Sequence, residues 1–320
     1  MIQWYASVNY GLERIVGDRI KAFGASDIEV LDSALVFSCD DEINVKCINN
    51  LFIVLASFNS GSVNDAAKRV GSLAFRFPRL DGKSFRLVVM DCGKLRAIPQ
   101  GVMVEAEKNI SRRAKLEVHR ANPDIEIWLN RRNDGLTFFM VRVRKHSPFD
   151  KSLKQGELRP DIVDVMLHMA SPIQGYVVVD MFGGWGAIAA AVVDSGLYGK
   201  VYTGDINEKC VEFQKARFNG IRDCVVHKWD AFKLPLGDMS VDTVITDPPW
   251  GEYEKIDVSR FYDGFVQEAS RILRPGGRLV FLSSMQKEAS AALGGYGFTF
   301  EHFPLKISGK DAFLFYSRRL

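Results

Sequence analysis

The chain has 320 residues, 47% of them hydrophobic and 25% charged, and its formal net charge is +3. This length exceeds what one small domain usually needs, so we expect two or three domains with hydrophobic cores of their own. Apolar runs are too short to span a membrane, residues 1–5 show no signal-peptide pattern, and the five scattered cysteines form no CxxC pair. We therefore expect an intracellular, cytoplasmic protein with no membrane segment, no metal site and no disulfide framework.

Residues 1–62 have the pattern of a small α+β unit. The elements predicted in this segment are strand 3–8, helix 12–23, strands 28–31 and 34–38, helix 41–48 and strand 52–58. Apolar and polar residues alternate in the strands, and acidic residues stand in the first turn of the second helix. This order is typical of a ferredoxin-like domain, and none of its residues forms a catalytic pattern.

Residues 63–146 form a second predicted domain, and the positive charge of the chain is concentrated there. Residues 63–150 hold 18 Lys and Arg against 10 Asp and Glu, whereas residues 1–62 hold 4 against 8 and residues 171–320 hold 17 against 18. The predicted elements are helix 64–70, strand 84–91, helix 100–114 and a hairpin with strands 126–130 and 136–143. Such clustering of basic residues favours a module that binds a polyanion, although a solvated basic face would have the same composition.

Residues 147–170 are predicted to be a linker followed by an entry helix. Residues 145–160 have a linker composition, and Pro160 suits the first turn of a helix over 161–170.

From residue 171 to 320 strands and helices alternate, as they do in a doubly wound, mostly parallel sheet. An apolar strand ends at Asp180 and is followed by a turn containing Gly183, Gly184 and Gly186. The next two strands end at Asp205 and Asp230. In this architecture an acidic residue at the end of the second strand binds ribose hydroxyls, although Asp205 would also suit the cap of the next helix.

A fourth strand, 241–245, leads directly into an Asp-Pro-Pro-Trp motif at residues 247–250. A glycine turn alone also occurs in dehydrogenases, and Ala189 at the third glycine position is compatible with them. The Asp-Pro-Pro-Trp motif has no function in a dehydrogenase. Together and in this order, the turn and the motif resemble S-adenosylmethionine-dependent methyltransferases that act on an exocyclic amine of a nucleobase.

The resemblance gives each residue of the motif a function. Asp247 and the Pro248 carbonyl accept hydrogen bonds from the amine, which aims its lone pair at the methyl group. Pro248 and Pro249 fix the backbone, and Trp250 stacks on a base that has been turned out of its helix. The residues expected to bind the cofactor are Asp180, Phe182, Gly184, Gly186, Asp205, Ile206, Asp230 and Ala231.

The second domain resembles a THUMP domain, an RNA-binding module of tRNA-modifying enzymes, in its order of elements and in the phrase at residues 121–127. The whole chain is similar to THUMP-containing tRNA guanine-N2 methyltransferases, with a ferredoxin-like unit, THUMP and a Rossmann-like class I methyltransferase domain. This resemblance implies tRNA as the partner and a monomer, and it leaves open whether a small activator subunit is needed. The residues expected to contact RNA are Lys108, Arg112, Arg113, Lys115, Arg142, Arg144 and Lys145.

Other reactions are compatible with parts of the pattern. Trp250, where tyrosine or phenylalanine is more usual, resembles adenine-N6 enzymes, but in RNA adenine methylases the motif precedes the cofactor segment. Methylation of rRNA at guanine N2, or RNA binding by a degenerate methyltransferase domain, also remains open. Methylation at pyrimidine carbon 5 is disfavoured, because it needs a cysteine near the fourth strand and no cysteine lies there.

Overall fold

The computed structural model describes residues 1–78, 81–145, 153–250, 257–307 and 309–320; the predicted linker residues 146–152 and Gly251 lie outside the described residues. The chain forms two compact units, each assembled from three pieces. The N-terminal unit comprises Met1–Ser7, Lys21–Ile43 and Ile48–His146. The C-terminal unit comprises Val8–Ile20, Asn44–Cys47 and Ser147–Leu320. The domain boundaries at residues 62, 146 and 170 stay predictions.

The first half of the chain contains nine strands and three helices within its described residues. In chain order they are β1 (Ile2–Ser7), α1 (Glu13–Lys21), β2 (Ser26–Leu31), β3 (Ala34–Cys39), β4 (Asn50–Asn59), α2 (Val63–Arg69), β5 (Ser84–Asp91), β6 (Lys94–Leu95), α3 (Gln100–Ala114), β7 (Glu117–Val118), β8 (Ile125–Arg131) and β9 (Leu136–Lys145). All nine strands belong to one sheet in the order β2-β3-β1-β4-β9-β8-β5-β6, with β7 beside β5.

The sheet joins a ferredoxin-like part to a THUMP part. β1 to β4 are antiparallel in the order expected for a ferredoxin-like unit, and β4 pairs antiparallel with β9 of the THUMP part. The core under α2 and α3 is apolar, with Phe85, Ile110, Ile127 and Phe139 fully buried. Burial of such side chains contributes roughly 1.5–3 kcal/mol each, which holds both helices on the sheet.

The prediction of a helix at residues 41–48 is wrong, because this segment forms neither helix nor strand. Ile43, Val45 and Cys47 are buried, whereas Asn44 and Lys46 between them are exposed. That period of two is incompatible with a helix, in which the buried positions recur every three or four residues.

The second half of the chain contains seven strands and five helices within its described residues. They are α4 (Pro160–Ala170), β10 (Val177–Asp180), α5 (Ala187–Ser195), β11 (Lys200–Asp205), α6 (Glu208–Arg217), β12 (Cys224–Lys228), β13 (Val241–Thr246), α7 (Val258–Ile272), β14 (Leu273–Ser283), α8 (Gln286–Gly295), β15 (Phe298–Ile307) and β16 (Lys310–Arg319). The sheet order is β12-β11-β10-β13-β14-β16-β15.

The first five strands of this sheet are parallel, and β15 and β16 form the antiparallel hairpin that closes it. This is the Rossmann-like class I methyltransferase fold that the sequence predicts. The strand order reverses between β10 and β13, and ligands of doubly wound sheets bind beside such a reversal, at the carboxyl ends of the strands. No described helix is long and apolar enough to cross a membrane.

Two carboxylates of α4 hold the N-terminal pieces of the C-terminal unit. Asp161 accepts a hydrogen bond from Asn9 Nδ2 (2.5 Å). Asp164 accepts one from the Cys47 N–H (3.0 Å) and lies 3.4 Å from the Arg19 guanidinium. Both carboxylates are buried, so these bonds offset their desolvation and keep the N-terminal pieces on α4.

Candidate active site

The glycine turn after β10 is fixed by its own backbone. Gly183 N–H donates to the Gly204 carbonyl, and Gly186 N–H donates to the Gly183 carbonyl, both at 2.7 Å. A Cβ on Gly183 would lie 2.4 Å from Thr203 Oγ1, and Gly186 has a left-handed backbone with φ 77°. Only glycine fits the first position, and it is favoured at the second. The turn therefore brings bare backbone to the carboxyl edge of the sheet.

Asp180 lies beneath this turn with 2% of its surface exposed. Its Oδ1 accepts a hydrogen bond from Thr246 Oγ1 (2.8 Å), which itself accepts one from the Phe182 N–H (3.0 Å). Burial raises the pKa of Asp180 to about 7, and the Thr246 hydrogen bond opposes this rise. Asp180 thus joins the ends of β10 and β13, while its contact with a cofactor stays a prediction, as does that of the half-buried Phe182.

Asp205 ends β11 and faces the turn. Its Oδ2 accepts a hydrogen bond from the Gly184 N–H and its Oδ1 one from the Asn207 N–H, both at 2.9 Å. Asn207, not Asp205, caps α6, since the Asn207 side chain accepts from the Lys209 N–H. An ionised carboxylate has about four acceptor sites, so Asp205 retains capacity for two ribose hydroxyls.

Exposed apolar side chains lie beside the acidic ones. Ile206 follows Asp205 and is 72% exposed, and Phe232 follows Asp230 and Ala231 and is 42% exposed. Asp230 is exposed and accepts a hydrogen bond from the Phe232 N–H (2.9 Å), while Ala231 is buried. A polar acceptor beside an exposed apolar surface at each of two strand ends suits a nucleoside. The sequence patterns missed Phe232, although its position two residues after Asp230 was a usable signal.

The Asp-Pro-Pro-Trp motif follows β13 at the same edge. Asp247 and Trp250 are half-buried, Pro248 is buried and Pro249 is exposed. Trp250 Nε1 donates to Asp247 Oδ1 at 3.0 Å. Burial raises the pKa of Asp247 to about 7, and the Trp250 bond opposes this rise. Stacking of Trp250 on a base stays a prediction, and its observed contact is with the carboxyl group of Asp247.

The sheet brings the predicted site residues of the C-terminal unit to one edge. Because β12, β11, β10 and β13 are neighbouring parallel strands, Asp230, Asp205, Asp180 and Asp247 all lie at their carboxyl ends. Negative charge at Asp205 and Asp247 adds to the pKa rise at Asp180. Such an edge favours a ligand with positive charge and hydroxyl donors, as a sulfonium nucleoside has.

Five of the predicted RNA-contacting residues are exposed on the N-terminal unit. They are Lys108, Arg112, Arg113, Lys115 and Lys145. Arg113 also donates to the Gly71 carbonyl (2.7 Å), so part of its function is structural.

The other two predicted RNA contacts, Arg142 and Arg144, are half-buried in ion pairs. Arg142 lies 2.7 Å from Glu126, and Arg144 lies 2.9 Å from Glu42. Their contact with RNA stays a prediction, and the structure gives both arginines partners within the N-terminal unit.

A cavity of about 530 Å³ adjoins the end of α3. Its lining includes basic and aromatic side chains, namely Phe75, Arg76, Phe77, Arg113 and Lys115. The sequence patterns missed Phe75, Arg76 and Phe77, which precede β5 in a segment without helix or strand.

Comparison with known proteins agrees with this geometry. The family described as UPF0020, RMKL-like, methyltransferase domain, matches residues 149–308. The crystal structure of TrmN from Thermus thermophilus superimposes with a TM-score of 0.80 at 21% identity, covering 100% of both chains.

Two curated relatives are similar to this chain over part of its length. The tRNA (guanine(6)-N2)-methyltransferase of Thermus thermophilus is 27% identical over 229 residues, 66% of each chain. The tRNA (guanine(6)-N(2))-methyltransferase THUMP3 of Mus musculus is 27% identical over 205 residues, which cover 57% of this chain and 40% of that protein. The aligned segment thus spans less than two thirds of each relative.

Proposed function

The chain belongs to the RMKL-like methyltransferase family, and from that premise we propose that it methylates the exocyclic N2 amine of a guanosine in tRNA, with S-adenosylmethionine as the methyl donor. The observation that supports this most strongly is the juxtaposition of the glycine turn and Asp247 at the ends of β10 and β13. The first is suited to hold a nucleoside cofactor and the second to hold an amine.

The acidic edge of the C-terminal unit fits the cofactor. Asp205 would bind the ribose hydroxyls, and Ile206 and Phe232 would flank the adenine beside Asp230. At Gly184 the turn leaves space beside the backbone, since a Cβ there would meet no atom within 4 Å. When bound, S-adenosylmethionine supplies a methyl group already activated by a sulfonium centre.

The Asp-Pro-Pro-Trp motif prepares the amine. The lone pair of guanine N2 is delocalised into the ring, so the amine is a weak nucleophile in its planar form. The ionised Asp247 carboxylate and the Pro248 carbonyl accept hydrogen bonds from the amine and favour a pyramidal nitrogen. Positioning of this kind supplies much of the rate, because no further activation of the methyl group is required.

The N-terminal unit supplies the RNA-binding surface in this proposal. Lys108 and Arg112 in the C-terminal half of α3 and Lys115 directly after it are exposed. The adjoining cavity is lined by Phe75, Arg76 and Phe77. Basic side chains bind phosphates, and aromatic rings stack on unpaired bases. Both curated relatives described above are named as tRNA methyltransferases, which supports tRNA as the ligand of this surface. We place the enzyme in the cytoplasm as a monomer. Activity of the purified chain alone tests whether it needs an activator subunit.

The competing reactions make different products. An adenine-N6 methyltransferase would give N6-methyladenosine, an rRNA enzyme would leave tRNA unmodified, and a degenerate domain would give no product. The last is disfavoured because acidic side chains fill every strand end at which one is expected.

Nucleoside mass spectrometry of total tRNA from a strain that lacks this protein tests the proposal. We expect loss of N2-methylguanosine and its return when the wild-type chain, but not the Asp247→Ala variant, is expressed. An unchanged N2-methylguanosine content with loss of another methylated nucleoside would contradict the guanine assignment.

A further inference from the structure

Trp185 lies inside the glycine turn, yet the sequence patterns assign it no function. Its ring packs edge-on against Phe213 of α6, with centroids 5.5 Å apart at 85°. The Trp185 carbonyl accepts a hydrogen bond from Arg217 Nη1 (3.1 Å). Both partners lie on α6, so the side chain and the carbonyl of this residue are held by the helix that follows the second strand.

The same ring holds the segment that precedes α4. Trp185 Nε1 donates to the Gln155 carbonyl at 3.0 Å. The Lys154 ammonium lies 3.3 Å from the centroid of the Phe213 ring and 5.1 Å from that of Trp185. A cation over two aromatic faces is attracted by both, so Lys154 is fixed as well as Gln155.

Glu157 completes the contact. Its carboxylate accepts a hydrogen bond from the Lys154 N–H (3.0 Å) and lies 3.5 Å from Arg217. These contacts connect the segment before α4 to the glycine turn and to α6. We name the six residues that make them the linker clamp: Lys154, Gln155, Glu157, Trp185, Phe213 and Arg217. Its first three members lie in the stretch of chain that connects β9 to α4.

The linker clamp shares its backbone with the cofactor edge. Gly184, one peptide bond before Trp185, donates its N–H to Asp205 Oδ2 (2.9 Å). The Gly184 carbonyl accepts a hydrogen bond from Gln214 Nε2 (2.9 Å), on the same helix as Phe213 and Arg217. A displacement of Trp185 would therefore move the Gly184 N–H, whose hydrogen bond positions the Asp205 carboxylate.

We propose that Trp185 is a positioning residue that couples docking of residues 154–157 to binding of S-adenosylmethionine. This inference rests on the proposed function, because it takes the Asp205 edge as the cofactor site. Coupling between two sites is reciprocal, so the docked segment raises cofactor affinity by the same factor by which the cofactor stabilises docking. The segment before α4 thereby contributes to the order of the cofactor site.

Calorimetric titration of the full chain with S-adenosylhomocysteine, the demethylated cofactor, tests the coupling. We expect Trp185→Ala and Lys154→Ala to weaken binding about five- to tenfold. Trp185→Phe, which retains a ring beside Lys154 but loses the bond to Gln155, should weaken it less. Lys215→Ala removes a charge from exposed α6 surface outside the linker clamp and should change affinity by no more than about twofold.

Hydrogen exchange supplies the reciprocal measurement. In the wild type, S-adenosylhomocysteine should slow exchange of the amides of residues 154–157, and in Trp185→Ala this protection should disappear. A general loss of structure would instead speed exchange throughout the C-terminal unit. If Trp185→Ala fails to fold, Lys154→Ala and Trp185→Phe carry the test.

The outcomes separate the two claims. If the linker clamp variants bind as tightly as the wild type and residues 154–157 exchange alike with and without S-adenosylhomocysteine, the coupling is wrong and the proposed function stands. If the wild type does not bind S-adenosylhomocysteine, the cofactor assignment fails and the coupling fails with it.

Discussion

The two units of this protein hold their proposed binding residues in different ways. At the carboxyl edge of the parallel sheet in the C-terminal unit, each carboxylate accepts hydrogen bonds from backbone or side-chain donors, such as the Gly184 N–H on Asp205 and the Thr246 hydroxyl on Asp180. On the N-terminal unit, Lys108 and Arg112 of α3 and Lys115, the residue after it, are exposed cations. The first arrangement suits a single ligand geometry, whereas the second suits any chain of phosphates.

Because of this difference, the two surfaces should respond differently to mutation. At the carboxyl edge of the sheet, replacing a single residue should cause a large loss of function, because the remaining hydrogen-bond partners cannot rearrange. A surface of separate cations loses affinity in small, roughly additive steps, because each contributes an independent phosphate contact.

Replacing Asp247 should have the largest effect. Asp247→Ala removes the acceptor that orients the amine, and we expect methyl transfer to fall by at least ~100-fold, as when one preorganised hydrogen-bonding group is removed from an active site. Affinity for S-adenosylhomocysteine should remain close to that of the wild type. Initial rates with radiolabelled cofactor measure the first quantity and calorimetry the second. Activity near that of the wild type would show that the motif has another function.

Gly183→Ala tests whether the turn tolerates a side chain. The new Cβ would lie 2.4 Å from Thr203 Oγ1, so the turn or β11 must shift. We expect a loss of about 1–3 kcal/mol in the free energy of unfolding, together with weaker cofactor binding. Gly294→Ala in α8 is the matched control, since its Cβ meets no atom within 4 Å. Equal denaturant midpoints for both variants would contradict the close packing of this turn.

The placement of Asp180, Asp205, Asp230 and Asp247 at one edge could be predicted from the sequence, because the carboxyl ends of parallel strands lie at the same edge of a sheet. The glycine turn and the closing hairpin are where the patterns place them. The helix at residues 41–48 was predicted from acidic residues at its start, although the alternation of Ile43, Asn44 and Val45 already indicated a period of two. The aromatic residues of the cavity and the contacts of Trp185 could not be predicted, because they depend on packing between segments distant in sequence.

The activity should depend on pH through Asp247. Burial raises its pKa to about 7 from 3.8, so the ionised acceptor is depleted below that value. We expect the rate to fall about tenfold per pH unit below 7 and to level off above it. Since the folded state binds this proton more tightly than the unfolded state, the contribution of Asp247 to stability decreases as pH rises from about 4 to 7.

Trp250→Phe sharpens that pH test. Loss of the Nε1 hydrogen bond removes a group that favours the ionised carboxylate, so the midpoint should move to higher pH. The pH profile of kcat/KM for tRNA, measured at saturating cofactor, gives the shift of this midpoint. An unchanged midpoint in Trp250→Phe would contradict the assignment of the ionisation to Asp247.

The basic surface should respond most gradually. Neutralising Lys108, Arg112 and Lys115 together removes three cations, which should lower the slope of log affinity for tRNA against log salt by roughly two to three. Each single variant should cost only severalfold in affinity. Removing three exposed lysines elsewhere, at positions 46, 233 and 287, provides the matched control. Equal salt slopes for both triple variants would place the RNA-binding surface elsewhere.

The central claim is that the edge formed by the glycine turn and Asp247 methylates guanine N2 in tRNA. The most direct measurement incubates purified wild type and Asp247→Asn with tRNA and cofactor carrying an isotopically labelled methyl group, followed by nucleoside mass spectrometry. The labelled product should be N2-methylguanosine with the wild type, and the nearly isosteric Asp247→Asn should form little or none. Label in N6-methyladenosine, or equal product from both proteins, would contradict this claim.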